Sequence, residues 1–518
     1  MTLNVLLITA DQWRGDCLGS AGHAHVSTPN MDALAREGVR FARHYANAAP
    51  CAPARASLYT GLYQMNHRVV ANGTPLDGRH DNLAKAARRA GYAPVLFGHT
   101  DSAVDPRDCL PDDARLRTYE GVLPGFDAGL ALTEDEPEWR DWVAGKGVKL
   151  PPEHPHRGTL AVDDPPSGQA PGYPAEHSPT AFMVEQLTTW LDCRLDRPQA
   201  RHADEPGWFA HLSLLRPHPP FIASPPFNAQ VPPDAVTGLA AGGDWRAAAA
   251  QHPFTDFLGA GQSKATFIAG ATGAVRDWDP ADLRQIAATY FGMVSELDAE
   301  LGNLFAYLQR HGQWQDTLIV LTSDHGEMLG DHGLLGKGGF HDGSYHIPLI
   351  IRDPRHPQSS GQTVDAFSEA VDIMPTLLDL LELPISAGLD GRTLQPWLAN
   401  THPAWRQAAH WEYDFRDIPA QTSERHFDLG SCHCQLTVLR TASYKYVHFA
   451  GLPPLLFDMT ADPSETHDLA THPDWLITRM SCAEALLAWR VEHLDQSLAL
   501  TILGDHGPTS IRRNTHRS

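Results

Sequence analysis

Asn4-Val-Leu-Leu-Ile-Thr-Ala10 runs directly into Asp11-Gln12, and this stretch decides the fold. A short apolar run closing on polar residues is the pattern of a strand buried on both faces, in a parallel sheet whose carboxyl end carries functional groups. Asp11 therefore stands where ligands bind in such sheets. Downstream, Thr28-Pro29 followed by Asn30 to Glu37 and Gly38 predicts an N-cap, a first-turn proline, a helix and a stop, with a strand near Gly38 to Ala42. Helix and strand alternate again: Asn82 to Ala90 then Ala93 to Phe97, Pro179 to Cys193 then Trp208 to Leu214, and Ala281 to Arg310 then Thr317 to Thr322.

That alternation implies an α/β sandwich with a mostly parallel sheet between helices. Polar residues just past the strands, Asp11, His99, His218 and Asp324, should meet at one sheet edge. Two stretches rich in Pro, Asp and Gly with weak periodicity, Pro106 to His177 and Pro219 to Gly273, read as extended insertions. Beyond about residue 395 the pattern shortens into β-like pieces such as Tyr444 to Phe449 and a helix near Cys482 to Leu494. The expected organisation is a catalytic domain over 1–395 and a smaller C-terminal α+β domain with a tail over 396–518.

Composition narrows the function. Of 518 residues 42% are hydrophobic and 20% charged, which is ordinary globular usage. Lys plus Arg total 40 against 62 Asp plus Glu, and a net charge of -22 argues against nucleic acid or an anionic membrane surface as partner. An anionic substrate would need a local cluster of positive groups. Seven cysteines, odd in number and irregularly spaced, do not form a disulfide framework, and the amino terminus lacks a basic leader, so cytoplasmic residence is expected.

The segment richest in chemistry is Cys51-Ala-Pro-Ala-Arg55-Ala-Ser57-Leu-Tyr-Thr60-Gly61. Alone, its cysteine would read as a small buried hydrophobe, Asp324-His325 as a loop cap with a surface histidine, and Lys337 as a solvated lysine. Cys432-His433-Cys434 is a Cys-x-Cys pair with no second pair near it and reads as structural. His332, His341 and Asp342 brace the lysine loop at most.

Together these segments resemble the sulfatases of the alkaline phosphatase superfamily. Cys51-x-Pro-x-Arg55 matches the stretch in which that family converts Cys to formylglycine. Asp11-Gln12 and Ser323-Asp324-His325-Gly326-Glu327 match its metal-ligand segments, and Gly336-Lys337-Gly-Gly-Phe340 its lysine loop. Tyr444-Lys445-Tyr446, Leu456-Phe457-Asp458 and Asp462-Pro463-Ser464-Glu465 resemble its C-terminal domain, so the likeness covers nearly the whole chain. Most sulfatases carry two consecutive acids where this chain has Asp11-Gln12. With Leu215-Arg-Pro-His218-Pro-Pro-Phe221, that departure resembles the phosphonate monoester hydrolase and arylsulfatase branch.

The resemblance implies an alkaline-phosphatase-like fold and a hydrolase of sulfate monoesters, promiscuous towards phosphonate monoesters and phosphodiesters, or alternatively one acting mainly on phosphorus. Asp11, Gln12, Cys51, Asp324 and His325 would hold one divalent ion (Ca²⁺, Mn²⁺ or Mg²⁺), and the aldehyde made from Cys51 would hydrate to the nucleophile. Arg55, one helical turn beyond Cys51, would orient that diol. His218 and Lys337 would contact the transferred group and protonate the leaving oxygen, in an order left open. Asn72, His99 and Thr100 occupy positions resembling substrate contacts. The implied partners are a small anionic ester, a formylglycine-generating enzyme during maturation, and further copies of the chain in a homodimer or homotetramer.

Overall fold

This computed structural model describes residues 3–151, 156, 166–195, 206–496, 498–499 and 501–510. Strand β1 (Asn4–Ala10) is buried along its whole length. Helix α1 (Pro29–Glu37) leads to β2 (Val39–Tyr45), then α2 (Cys51–Thr60), α3 (Leu83–Arg89) and β3 (Pro94–Gly98). Next come β4 (Asp127–Ala131), α4 (Pro179–Leu195), β5 (Phe209–Leu214), α5 (Pro280–Arg310) and β6 (Thr317–Thr322). The pair β7 (His346–Ile347) and β8 (Leu349–Arg352), then β9 (Gln362–Glu369) and α6 (Ile373–Leu380), complete the larger part.

These nine strands form one sheet in the order β4-β3-β5-β1-β6-β8-β2-β7, with β9 on β2. Pairing is parallel from β4 through to β6 and between β2 and β9; β8 and β7 are antiparallel to their neighbours. The expected α/β sandwich is therefore present. Alternation along β1 explains the layering: Leu6, Ile8 and Ala10 face α1, α4 and α5, while Val5 and Leu7 face α2, α3 and α6. Leu301, Leu304 and Leu308 of α5 are fully buried in the first layer, and truncating one to Ala would cost about 2–5 kcal/mol.

Smaller elements depart from expectation for identifiable reasons. Thr28 does not cap α1, because its hydroxyl accepts from the Gly19 amide. The helix start is held instead by Asp298 of α5, which accepts from the amides of Asn30 (3.1 Å) and Met31 (2.7 Å). The stretch read as a loose insertion from Pro106 supplies the edge strand β4, whose residues are mostly exposed and so carry no apolar run to read. The stretch from Pro219 contains two short helices, Trp245–Gln251 and Pro253–Ala260.

A second, four-stranded antiparallel sheet follows, β10 (Ala408–Asp414) to β11 (Gln435–Thr441), β12 (Tyr444–Phe449) and β13 (Leu455–Asp458). Helix α7 (Leu476–Glu492) packs against β11 and β12, starting six residues before the predicted Cys482. Of the tail from Thr501, residues 501–510 form a hairpin, β14 (Thr501–Gly504) and β15 (Gly507–Ser510), and residues 511–518 lie outside the described residues. All seven cysteines are free thiols. Among the described residues no helix is long and apolar enough to cross a membrane.

Candidate active site

The carboxyl ends of four adjacent strands, β3, β5, β1 and β6, deliver the expected residues to one place. Asp11 and Gln12 follow β1, His99 follows β3, His218 lies in the turn after β5, and Asp324 and His325 follow β6. Helix α2, buried over all ten residues, begins at Cys51 and aims its open amino end at this point. One of its free amides, that of Ala52, donates to Asn72 Oδ1 at 3.0 Å, so Asn72 caps the helix that carries Cys51.

Around the Cys51 sulfur the contacts are close. Lys337 Nζ lies 3.1 Å from Sγ and donates to Gln12 Oε1 at 2.9 Å; His325 Nε2 lies 3.3 Å from Sγ. His325 Nδ1 donates to the Gly326 carbonyl, which leaves Nε2 as a lone-pair donor 3.7 Å from both Asp11 Oδ1 and Asp324 Oδ2. Ligand atoms of Asp11, Cys51, Asp324 and His325 all fall within 4.8 Å of one another. Asp11 Oδ1 is buried without a hydrogen-bond partner. Carboxylate oxygens with one imidazole nitrogen, one of them left unpaired in the interior, fit a divalent cation.

Arg55 is organised differently from the expectation that it orients the nucleophile. Its Nε reaches Asp324 Oδ2 at 3.0 Å and Asp101 Oδ2 at 3.2 Å, Nη2 donates to Asp11 Oδ2 at 3.0 Å, and Nη1 donates to Ser213 Oγ and the His99 carbonyl. The guanidinium thus ties three carboxylates together beneath the site. Thr100 also departs from its expected role: its hydroxyl donates to Gly121 O and accepts from the Leu123 amide, fastening the loop after β3.

Gln12 sits in the left-handed backbone region at φ 66°, a conformation that costs a non-glycine residue about 1 kcal/mol or more. Three bonds hold it there: its amide donates to Asp324 Oδ1, its carbonyl accepts from Tyr290, and its side-chain Nε2 donates to Glu327. The other Glu327 oxygen accepts from the amides of Leu329 and Gly336, the latter next to Lys337. One buried carboxylate therefore sets both Gln12 and the lysine loop.

Charge and burial compete throughout. Burial alone would push the Asp11 carboxyl upward, but His218, Lys337, Arg55 and His325 together hold it well below the usual range. Burial, then Asp11, pushes the Cys51 thiol well up, while Lys337 pulls it the other way. Burial favours a neutral Lys337, yet the facing Cys51, Asp11 and Asp324 raise it above the ordinary lysine value. His218 is pushed down to about 3 by burial and then by Lys337, and its Nδ1 donates to the Pro219 carbonyl at 2.8 Å.

Asp101, Ser213 and Glu327 are the residues that reading the sequence left out. Glu327 ends the quoted segment from Ser323 and Asp101 directly follows Thr100, whereas Ser213 offered no signal beyond its position on β5. His341 and Asp342 belong elsewhere: they pair with Glu465 and Lys445 between the two sheets. Cys432 is exposed and Cys434 buried, and among the described residues no potential metal group includes either.

A sequence model of the sulfatase family matches residues 3–383, and one of the C-terminal region of N-sulphoglucosamine sulphohydrolase matches residues 330–491. The multifunctional alkaline phosphatase superfamily protein PehA of Trinickia caryophylli is 41% identical over 96% of each chain. Two solved phosphonate monoester hydrolases superpose over nearly all of both molecules. That of Agrobacterium radiobacter has 49% identity and a TM-score of 0.92, covering 98% of this chain and 100% of its own. That of Silicibacter pomeroyi has 35% identity and a TM-score of 0.90, covering 99% of each. With the family model spanning most of the chain and relatives at this level covering nearly all of it, this chain belongs to the sulfatase family of hydrolases.

Proposed function

We propose that this chain is a formylglycine-dependent, divalent-metal hydrolase of monoanionic esters: phosphonate monoesters and phosphodiesters first, and sulfate monoesters with them. The observation that carries the reading is the meeting of Cys51, at the start of a buried helix, with Asp11, Asp324, His325 and the Lys337 ammonium. Likeness to two phosphonate monoester hydrolases weights the preference towards phosphorus, a shift from the sulfate-first expectation.

Asp11, Asp324 and His325 would hold the ion, with the oxygen of residue 51 and Gln12 Oε1 completing its surroundings. The ion supplies charge neutralisation for an anionic nucleophile approaching an anionic ester. Formylglycine supplies, as its hydrate, one hydroxyl to attack and a second whose deprotonation releases the transferred group, which neither thiol nor serine offers. Arg55 keeps the three carboxylates apart and in register. Counting Asp11, Asp101 and Asp324 against Arg55 and Lys337, the cluster carries one excess negative charge, and a dication turns this into one excess positive charge. That matches one anionic charge on the ester.

Lys337, held protonated, is the group that can give a proton to the leaving oxygen, and His218, whose Nδ1 proton is held by the Pro219 carbonyl, lines the site beside the transferred group. Replacing Lys337 with Ala should then slow esters of poor leaving groups far more than activated aryl esters; equal slowing of both would remove that role. A homodimer or homotetramer belongs to the same reading, with the exposed Leu498, Ile502 and Leu503 around the C-terminal hairpin as apolar surface to be covered; light scattering tests it.

The deciding experiment is the mass of the Cys51 peptide from protein made with and without a formylglycine-generating enzyme. A loss of about 18 Da that tracks with turnover of phosphonate monoesters, phosphodiesters and sulfate monoesters is expected. Full turnover from wholly unmodified Cys51 would end this reading.

A further inference from the structure

The backbone around Lys337 cannot hold its own shape. Lys337 stands between Gly336 at φ 73° and Gly338 at φ 109°, both in the left-handed region that glycine enters freely, so the ammonium is placed only if the chain beside it is pinned. Accounting for the backbone polar groups of the two preceding residues shows the pins. The Gly336 amide donates to Glu327 Oε1 at 2.6 Å, and the Gly336 carbonyl accepts from the Met328 amide at 2.9 Å. The Leu335 amide donates to Gln262 Oε1 at 3.1 Å, and the Leu335 carbonyl accepts from Gln262 Nε2. One carboxamide thus closes a pair of hydrogen bonds on a single buried residue, 73 residues away in sequence.

Gln262 belongs to the second insertion, just after the helix Pro253–Ala260, and its own carbonyl accepts from the Val275 amide at 3.0 Å. Five residues on, the Phe267 ring closes over Gly336, 3.3 Å from where a side chain there would begin. The Phe267 carbonyl accepts at 2.7 Å from the amide of Phe221, three residues past His218. The same segment therefore touches both the loop of Lys337 and the turn of His218.

We infer that Gln262 is a positioning residue for Lys337, acting through Leu335 to hold the ammonium beside Cys51 Sγ and Gln12 Oε1. Two hydrogen bonds fix the height and tilt of the chain two residues before the ammonium, and proton transfer is steeply sensitive to such placement. The inference rests on the reading of Lys337 as proton donor to the leaving oxygen.

The test is the ratio of kcat/KM on an activated aryl phosphonate monoester to that on an alkyl one, both measured on one sample of the full, matured, metal-loaded chain. That ratio cancels the amount of active protein, so a merely structural role, which lowers the folded or matured fraction, leaves it unmoved. Gln262→Met keeps the length of the side chain and neither hydrogen bond; it should slow the alkyl ester about tenfold and the aryl ester about twofold, raising the ratio about fivefold. In a Lys337→Ala background the same substitution should leave the ratio where Lys337→Ala has put it. Gln262→Glu keeps an acceptor for the Leu335 amide and should fall between the parent and Gln262→Met; it decides by the same ratio if Gln262→Met is not recovered folded. An unchanged ratio in the Gln262 variant, or a further rise in the Lys337→Ala background, overturns the inference while Lys337 keeps its role. If Lys337→Ala itself leaves the ratio unchanged, the reading of Lys337 falls and takes this inference with it.

Discussion

Two of the buried charge clusters among the described residues are built to opposite rules. Between the sheets, Lys445 Nζ donates to Asp342 Oδ1 at 2.8 Å and Glu465 Oε2 at 2.7 Å, while Arg440 and Tyr45 reach Asp342 Oδ2 and the Asp342 amide reaches Glu465 Oε1. All four carboxylate oxygens there have a donor. At the strand ends, Asp11 and Asp101 keep buried oxygens with none, although Arg55 and Lys337 are close by. A fully paired cluster braces two layers; an incompletely paired one has kept room for something to bind.

The sharpest way to break this comparison is to remove the proposed nucleophile. Cys51→Ala should lower turnover on the order of 10⁴-fold or more, with the melting temperature scarcely changed, since only a small thiol is lost. Asp324→Asn comes next: turnover should fall roughly 10²-fold or more, together with the metal content measured on the same sample. Retained metal with full turnover would show that the unpaired cluster is not a ligand site.

In the paired cluster the expected effects reverse. Glu465→Gln strips Lys445 of one of its two anionic partners and should cost about 3 kcal/mol in chemical denaturation, while turnover per folded molecule stays near that of the parent. A selective loss of turnover without destabilisation would place this network in the catalytic machinery after all. Glu327→Gln tests the boundary between the two kinds. It keeps one acceptor for the loop amides but disturbs the grip on Gln12, so turnover should fall about tenfold, with formylglycine content unchanged.

Much of this was legible in the chain because burial writes itself into strands. The runs ending at Ala10, Leu214 and Thr322 are buried on both faces, hence continuously apolar, and their strand ends predict where Asp11, His218 and Asp324 gather. β4 escaped because an exposed edge strand needs no apolar run. Arg55 was singled out but its carboxylate partners were not, since spacing says which side chains share a helix face and not which carboxylates come from elsewhere. Asp101 and Glu327 escaped for the same reason: their partners, Arg55 and Gln12, are 46 and 315 residues away in sequence. Pairing across such distances has no local signature.

Glu296 on α5 offers the smallest and most specific test, because it is a buried acid that is hydrogen-bonded but has no ion pair among the described residues. Its carboxyl accepts from the Ser224 amide at 2.7 Å, and burial, only partly offset by bonds from Ser224 and Ser178 and by the field of Arg216, raises it to about 7 from 4.5. Below the lower value both folded and unfolded chains are protonated at this position. Between about 4.5 and 7 the folded chain binds the extra proton, so this group's contribution to stability falls as pH rises, and it is fully lost above the folded value. Glu296→Gln cannot ionise and keeps an acceptor for Ser224. Measured by denaturant unfolding, its stability relative to the parent should climb by on the order of 1–3 kcal/mol across that window and stay level above it. Parallel curves would mean that the acid is already ionised when folded, and that α5 tolerates an unpaired charge where the comparison says it should not.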